Sequence, residues 1–243
     1  MALHESFGAV PASNAAQASL FRPSDYTAAL LFHIRHRAST INLHNVLEIG
    51  TGSGVVMASL LALGAKRAAG VDIEPAAVQT TQELLRNDGS HDRARVVQGD
   101  MWLPFQGERF DLIVSNLPQF AAEHVDADGR LPSWSAGGLD GRTVVDKFLR
   151  GLPDHLAGNG VVFMTHNVFI DLARTQAVLD GSGMQARAMH SASSPHSVQK
   201  MATLNPQVLE RHTGGSIHRI GRYWFVDFDI VEISWKPDAP RQR

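Results

Sequence analysis

Residues 46–54 read VLEIGTGSG, and this run constrains the fold more than any other part of the chain. Val46, Leu47 and Ile49 form an apolar β-type run that breaks into Gly50, Gly52 and Gly54. An apolar, helix-like run follows from Val55 to Leu63. A buried strand, a tight glycine turn and a helix account for all three signals. Glycine in such a turn permits positive φ and lets backbone approach a ligand closely. The bland alternative is a structural turn with a solvated Glu48.

The rest of the chain repeats the alternation. Apolar residues recur at helical spacing over 24–38 (Leu30, Leu31, Ile34), after the cap-type residues Ser24 and Asp25. Strands are predicted at about 45–49, 68–73, 94–98, 110–115, 160–165 and 184–190, with a last one over 223–233. Helices are predicted at about 54–63, 74–87, 142–156 and 169–179, the second opened by Pro75 and stopped at Gly89. A loop spans about 117–141 and carries Pro118, Pro132 and Trp134. Residues 191–221 read as a long segment with a short helix near 206–211. Strands alternating with helices imply an α/β fold, a doubly wound and mostly parallel seven-stranded sheet. The last strand has no helix before it and is expected to lie antiparallel at the sheet's end.

Composition bounds the function. At 243 residues the chain is read as an N-terminal arm (1–20), one domain (21–235) and a tail (236–243). Hydrophobic content of 44% and charged content of 19% suit a globular domain. A net charge of −2 gives no basic excess, so no nucleic-acid partner is expected. There is no cysteine, hence no thiol nucleophile, disulfide or thiolate metal site, which fits a cytoplasmic location. No apolar run reaches membrane-spanning length, and the first twenty residues do not read as a secretory signal. A homodimer stays open.

In open α/β sheets ligands bind at the carboxyl ends of the strands. The glycine loop, Asp72, Asp100 and Asn116 all fall at such ends. A dinucleotide fingerprint needs its third glycine where Val55 stands. Glu48, two residues before Gly50, would repel a pyrophosphate but favour a cation. S-adenosylmethionine, with a sulfonium, an ammonium and no phosphate, fits acid plus glycines better. Gly50, Thr51, Gly52 and Gly54 are the candidate cofactor loop. Asp72, with Ile73 beside it, is placed to accept ribose hydroxyls; its alternative is an ordinary strand-end acid. Asp100 is placed to accept from an adenine amine with Met101 against the ring, or else it caps a turn and Met101 is core. Asn116, Leu117 and Pro118 follow the fourth strand. A side-chain amide oxygen and a nearby carbonyl there can accept an amine's hydrogens and aim its lone pair, or the residues make a plain Asx-Pro turn.

Other candidates are weaker. His33 and His36 lie on a helix beside Arg35 and Arg37 and read as a solvated face. Twelve histidines include no His-Glu-x-x-His, so no metal is expected. There is no phosphate loop and no nucleophile elbow. Asp227 and Asp229 on the last strand read as solvent-facing acids.

Four stretches together resemble the class I S-adenosylmethionine-dependent methyltransferases of the HemK type, which modify glutamine in release factors: FRPSDYTAALL (21–31), VLEIGTGSG (46–54), GVDIEPAAV (70–78), and VSNLPQ (114–119) with WSAGGLDGRTVVDKFL (134–149). The resemblance implies the cofactor loop at Glu48, Gly50, Gly52 and Gly54, the ribose acid at Asp72 and the adenine-side acid at Asp100. It also implicates Asp25 and Thr27 in a segment folded over the cofactor. The family signature after the fourth strand is Asn-Pro-Pro-aromatic; here Leu117 replaces the first proline and Gln119 the aromatic. Phe120 is a substitute aromatic one position late. Little sequence precedes Phe21 to supply the helical domain that grips release factors. The altered signature favours N-methylation of a small-molecule amine, amide or peptide. The alternatives are a protein glutamine or nucleobase methyltransferase and, from another class, an inactive scaffold of the same fold. Gln119, Phe120 and Trp134 are the expected acceptor-side residues. The 191–221 segment is expected to cover the acceptor, with His196, Lys200 or Arg219 touching it; the alternatives are a surface excursion that pads the sheet or a dimer contact.

Overall fold

A computed structural model describes residues 22–125 and 134–238. The expectations for the arm 1–20, Phe21, Pro132 and the end of the tail lie outside the described residues. The elements run α1 Asp25–Arg37, β1 Asn45–Ile49, α2 Val55–Ala62, β2 Arg67–Asp72, α3 Pro75–Asn87, β3 Ala94–Gln98, β4 Phe110–Ser115, α4 Thr143–His155, β5 Leu156–Asn167, α5 Leu172–Asp180, β6 Met184–His196, α6 Val198–Ala202, α7 Pro206–His212, β7 Ile217–Ile220 and β8 Tyr223–Trp235. The sheet order is β3-β2-β1-β4-β5-β8-β6, with β7 added on β8. The strands from β3 to β5 are mutually parallel, and β8 is antiparallel to its neighbours.

The doubly wound, mostly parallel fold is therefore present, with one strand more than expected. Alternate residues of each strand feed opposite layers. Leu47, Ile113 and Val162 face a cluster with Phe148, Leu149 and Leu152 of α4. Val46, Leu112 and Phe163 face the other, with Leu30 and Ile34 of α1 and Leu60 of α2. Ser24 caps α1 in a reciprocal capping box with Thr27, which fixes how the chain enters the site.

Four local expectations change. First, β8 lies between β5 and β6, not at the sheet's end. Its residues Val226, Phe228, Ile230, Val231 and Ile233 are all buried, as an interior strand covered on both faces requires. Second, 191–221 is not a long loop. β6 continues through its serines because β8 supplies partners: Ser191 Oγ donates to an Asp229 carboxylate oxygen at 2.6 Å and Ser193 Oγ to Asp227 at 2.5 Å. Two short helices and the β7–β8 hairpin complete the segment, and the helix expected near 206–211 is α7. Third, Asp229 is buried under that serine and not solvent-facing. Fourth, His33 does not lie on a solvated face. It is 1% exposed and meets Phe163 edge-on at 4.5 Å, because α1 packs across β5 and β8.

Candidate active site

The carboxyl ends of β1 to β4 open onto a cavity of about 470 Å3. Its lining includes Thr27, Glu48, Gly50, Thr51, Gly52, Asp72, Ile73, Asp100, Met101 and Asn116. Gly50 and Gly52 sit at φ +79 and +48, and a Cβ built on either meets nothing within 4 Å. Their backbone is thus bare toward the cavity, in a conformation that side chains resist. Asp72 ties the loop to β2. Gly52 N donates to its Oδ2 at 2.9 Å and Glu74 N to its Oδ1 at 3.0 Å. Burial raises the Asp72 carboxyl above its ordinary value, opposed by these backbone donors.

Glu48 is 5% exposed, and its Oε2 has no hydrogen-bond partner among the described residues. Burial drives its carboxyl well above the usual range, against a stabilising Met57 amide. A buried, half-partnered carboxylate on a cavity wall suits a cationic ligand group. The bare glycines, the Asp72 carboxylate and the exposed apolar side chain of Ile73 (60%) likewise suit a nucleoside. The residues present fit S-adenosylmethionine.

Met101 also lines this cavity and holds φ +56 while 7% exposed, a backbone strain placed at the site. Asp100 is paired with Lys147 of α4 at 2.5 Å. Two expected cofactor residues are elsewhere. Gly54 caps α2, where a Cβ would come within 2.9 Å of Thr81 Cα, so it packs α2 on α3. Asp25 lines the neighbouring cavity and accepts from Ser194 Oγ at 3.1 Å.

That second cavity, of about 390 Å3, shares Arg22, Pro23, Ser24, Asn116, Leu117 and Trp134 with the first. Pro118 faces only the first. Tyr26, Phe120, Asn167, His196 and Lys200 build the other walls. Tyr26 stacks on Phe228 at 4.1 Å and donates to Asn167 Oδ1 at 2.9 Å. Burial and then Asp25 and Asp227 raise its phenol above its ordinary value. The His196 ring lies 5.8 Å from that of Phe120, and Lys200 Nζ sits 5.1 Å from the same ring centre. His196 and Lys200 are thus brought to the cavity as expected of the segment, but Arg219 is not. Its guanidinium lies over Trp224, and its Nε donates to the Gly221 carbonyl at 2.8 Å. Gln119 is 4% exposed, with its carboxamide bound to β5.

Asn116 stands in the shared wall. Its Oδ1 accepts from Thr165 Oγ1 at 2.7 Å and its Nδ2 donates to Thr27 Oγ1 at 3.4 Å. Tyr26, Thr165 and Asn167 were not singled out from the sequence. Tyr26 lies within the Pro-Ser-Asp-Tyr-Thr run that flags its neighbours. Asn167 ends β5 as Asn116 follows β4, a signal hidden by the expectation that β5 stops at Thr165.

A methyltransferase domain matches residues 46–129. Human methyltransferase HEMK2 is 32% identical over 153 residues, covering 60% of this chain and 70% of that protein. The release factor glutamine methyltransferase of Bordetella pertussis is 34% identical over 155 residues, covering 60% of this chain and 55% of its own. Among these and two further relatives the chain spans 39% to 70% of the relative's length, 59% for one from Methanocaldococcus jannaschii. In fold, the chain is similar to the E. cuniculi Mtq2–Trm112 complex responsible for methylation of the eRF1 termination factor. The TM-score is 0.58 at 16% identity, covering 90% of this chain and 99% of that one.

Proposed function

The chain belongs to the class I S-adenosylmethionine-dependent methyltransferases of the HemK type, and from that premise we propose that it methylates the side-chain amide nitrogen of a glutamine in a protein or peptide. The observation that carries the reading is Asn116 in the wall common to both cavities, with its amide oriented from two sides. Glu48, the Gly50–Gly52 backbone and Asp72 would hold the cofactor, which when bound supplies an electrophilic methyl on a sulfonium.

The remaining work is positioning. An amide nitrogen is a poor nucleophile because its lone pair is delocalised into the carbonyl. Asn116 Oδ1 keeps one lone pair beyond its bond from Thr165, and the carbonyl of Leu117, which lines both cavities with it, would be the second acceptor. Together they accept the two amide hydrogens and hold the nitrogen toward the first cavity. Tyr26, Phe120 and His196 enclose the planar amide and displace water from it. Holding reactants in attack geometry is worth several powers of ten in rate.

The names of the relatives support glutamine. A specific observation favours a small-molecule amine as the second reading: Gln119 occupies the family's aromatic position and presents no ring face to a substrate. The enzyme is tested with isotope-labelled S-adenosylmethionine, glutamine-containing peptides and small amines, followed by mass spectrometry. Methyl on a glutamine side chain is the expected result. Unmodified peptides beside a methylated amine would overturn it in favour of the second reading.

A further inference from the structure

Six side chains join α1, the β4–α4 connection and β5 in a closed ring around the wall between the cavities. Thr165 Oγ1 donates to Asn116 Oδ1 at 2.7 Å, and Asn116 Nδ2 donates to Thr27 Oγ1 at 3.4 Å. Gln119 Nε2 donates to the Thr165 carbonyl at 2.7 Å, and Asn167 N donates to Gln119 Oε1 at 2.8 Å. Tyr26 Oη donates to Asn167 Oδ1 at 2.9 Å, and the Tyr26–Thr27 peptide bond closes the circuit. Thr165 is 0% exposed, and Gln119 and Asn167 are each 4% exposed.

The ring has a direction. Main-chain pairing of β4 with β5 ends at Ser115 and Met164. Beyond it, the Gln119 carboxamide takes the Thr165 carbonyl and the Asn167 N–H, the two groups a parallel neighbour strand would have used. A carbonyl only accepts and a peptide N–H only donates, so backbone fixes which end of Gln119 is nitrogen. That nitrogen also lies 3.4 Å from Thr165 Oγ1. The hydroxyl therefore accepts from Gln119 and sends its own proton to Asn116, which selects the oxygen end of Asn116. A carboxamide has two nearly isosteric orientations, and only this order of donors distinguishes them. Proline would stiffen the turn at position 117, but here the residue is leucine, with φ unlocked.

We propose that Thr165 and Gln119 are positioning residues for methyl transfer, holding the Asn116 oxygen toward the acceptor in place of turn rigidity. The proposal rests on the reading of Asn116 given above. Thr165→Val keeps the shape and deletes the donor. With a glutamine peptide as acceptor, its kcat should fall about tenfold to a hundredfold while affinity for S-adenosylhomocysteine stays within about twofold of the parent. Thr165→Ser, which keeps the hydroxyl, should recover the turnover. A second measurement needs no acceptor: in the 15N-labelled complex with S-adenosylhomocysteine, the Asn116 side-chain amide protons should exchange slowly in the parent and rapidly in Thr165→Val. Parent-like turnover or slow exchange in that variant would overturn the proposal. If the parent methylates no glutamine peptide, the function above falls, and the exchange measurement still decides the ring. Should Thr165→Val fail to melt cooperatively, Gln119→Glu, which puts a carboxyl oxygen in place of the Nε2 donor, is expected to show the same loss, and parent-like behaviour there is equally fatal.

Discussion

The amide of Gly52 donates to Asp72 Oδ2 over 2.9 Å, so the glycine turn after β1 and the acid ending β2 are one unit. Asp72→Ala should weaken S-adenosylhomocysteine binding by about 1–3 kcal/mol, since it leaves the loop amide and the ligand hydroxyls without an acceptor. Calorimetric titration measures this. Parent-like affinity would remove Asp72 from the binding surface.

Asn116→Ala should depress turnover about a hundredfold while leaving cofactor affinity nearly unchanged, because the residue acts on the acceptor. Asn116→Asp separates its two bonds. The carboxylate still accepts from Thr165 but cannot donate to Thr27. Steady-state kinetics on the identified acceptor decide; a variant as fast as the parent would end the orienting role.

Burial raises the Glu48 carboxyl well above its ordinary range, and a cation bound beside it would favour its ionised form. Binding of the positively charged cofactor should then release a proton, and affinity should rise with pH as the carboxyl ionises. Titrations in two buffers of different ionisation heat would count that proton. Glu48→Gln should abolish the release and weaken binding; an unchanged proton count in the variant would contradict the assignment.

Burial lowers His33 to about 4, helped by His190, Arg37 and His36. Burial also lowers His166 to about 4, helped by Arg142. Each is neutral when folded and protonates near 6.5 when unfolded, so the unfolded chain binds more protons between those values. Stability from these residues is therefore complete above pH 6.5 and is lost as pH falls toward 4, at up to about 1.4 kcal/mol per pH unit for each. Urea unfolding of the parent and of His33→Phe across that window would show it. A variant with the parent's pH slope would clear His33 of the effect.

His196→Ala and Lys200→Ala should raise KM for the acceptor and spare S-adenosylhomocysteine binding, because both line only the second cavity. Arg219→Ala should change neither, as its contacts are with Trp224 and Gly221. A loss of cofactor affinity in the first two would mean the cavities are assigned the wrong way round.

The parallel half of the sheet was legible because periodicity and turn chemistry agree there. β1, β3 and β4 carry dense apolar runs, and Gly50, Pro75 and Gly89 punctuate them. That a cavity opens at the ends of these strands followed from the glycine loop and the polar residues that close them. The antiparallel half was not legible: β6 past His190 is a serine-rich run whose strand character comes from its pairing with β8 over Trp224–Asp229, where Asp227 and Asp229 also take two of its serine hydroxyls. Local sequence cannot show a cross-strand partner. For the same reason the sequence does not show that Gln119, which lines the second cavity, is also bound to backbone groups 46 and 48 residues away. His33 misled in the opposite way, since its charged neighbours hide that it points at Phe163.

β8, threaded between β5 and β6, also sets a timetable for synthesis. β5 can dock on β4 as soon as it leaves the ribosome, but its other edge waits until Tyr223–Trp235 has been made. Until then β5 ends in an open strand edge, the kind of surface that pairs with wrong partners. Thr165 and Asn167 lie on that waiting strand, opposite Ile230 and Phe228. The first cavity's walls can therefore assemble on a nascent chain before the second's, and a ribosome halted before Tyr223 would leave a chain with the first cavity walled but the second unfinished.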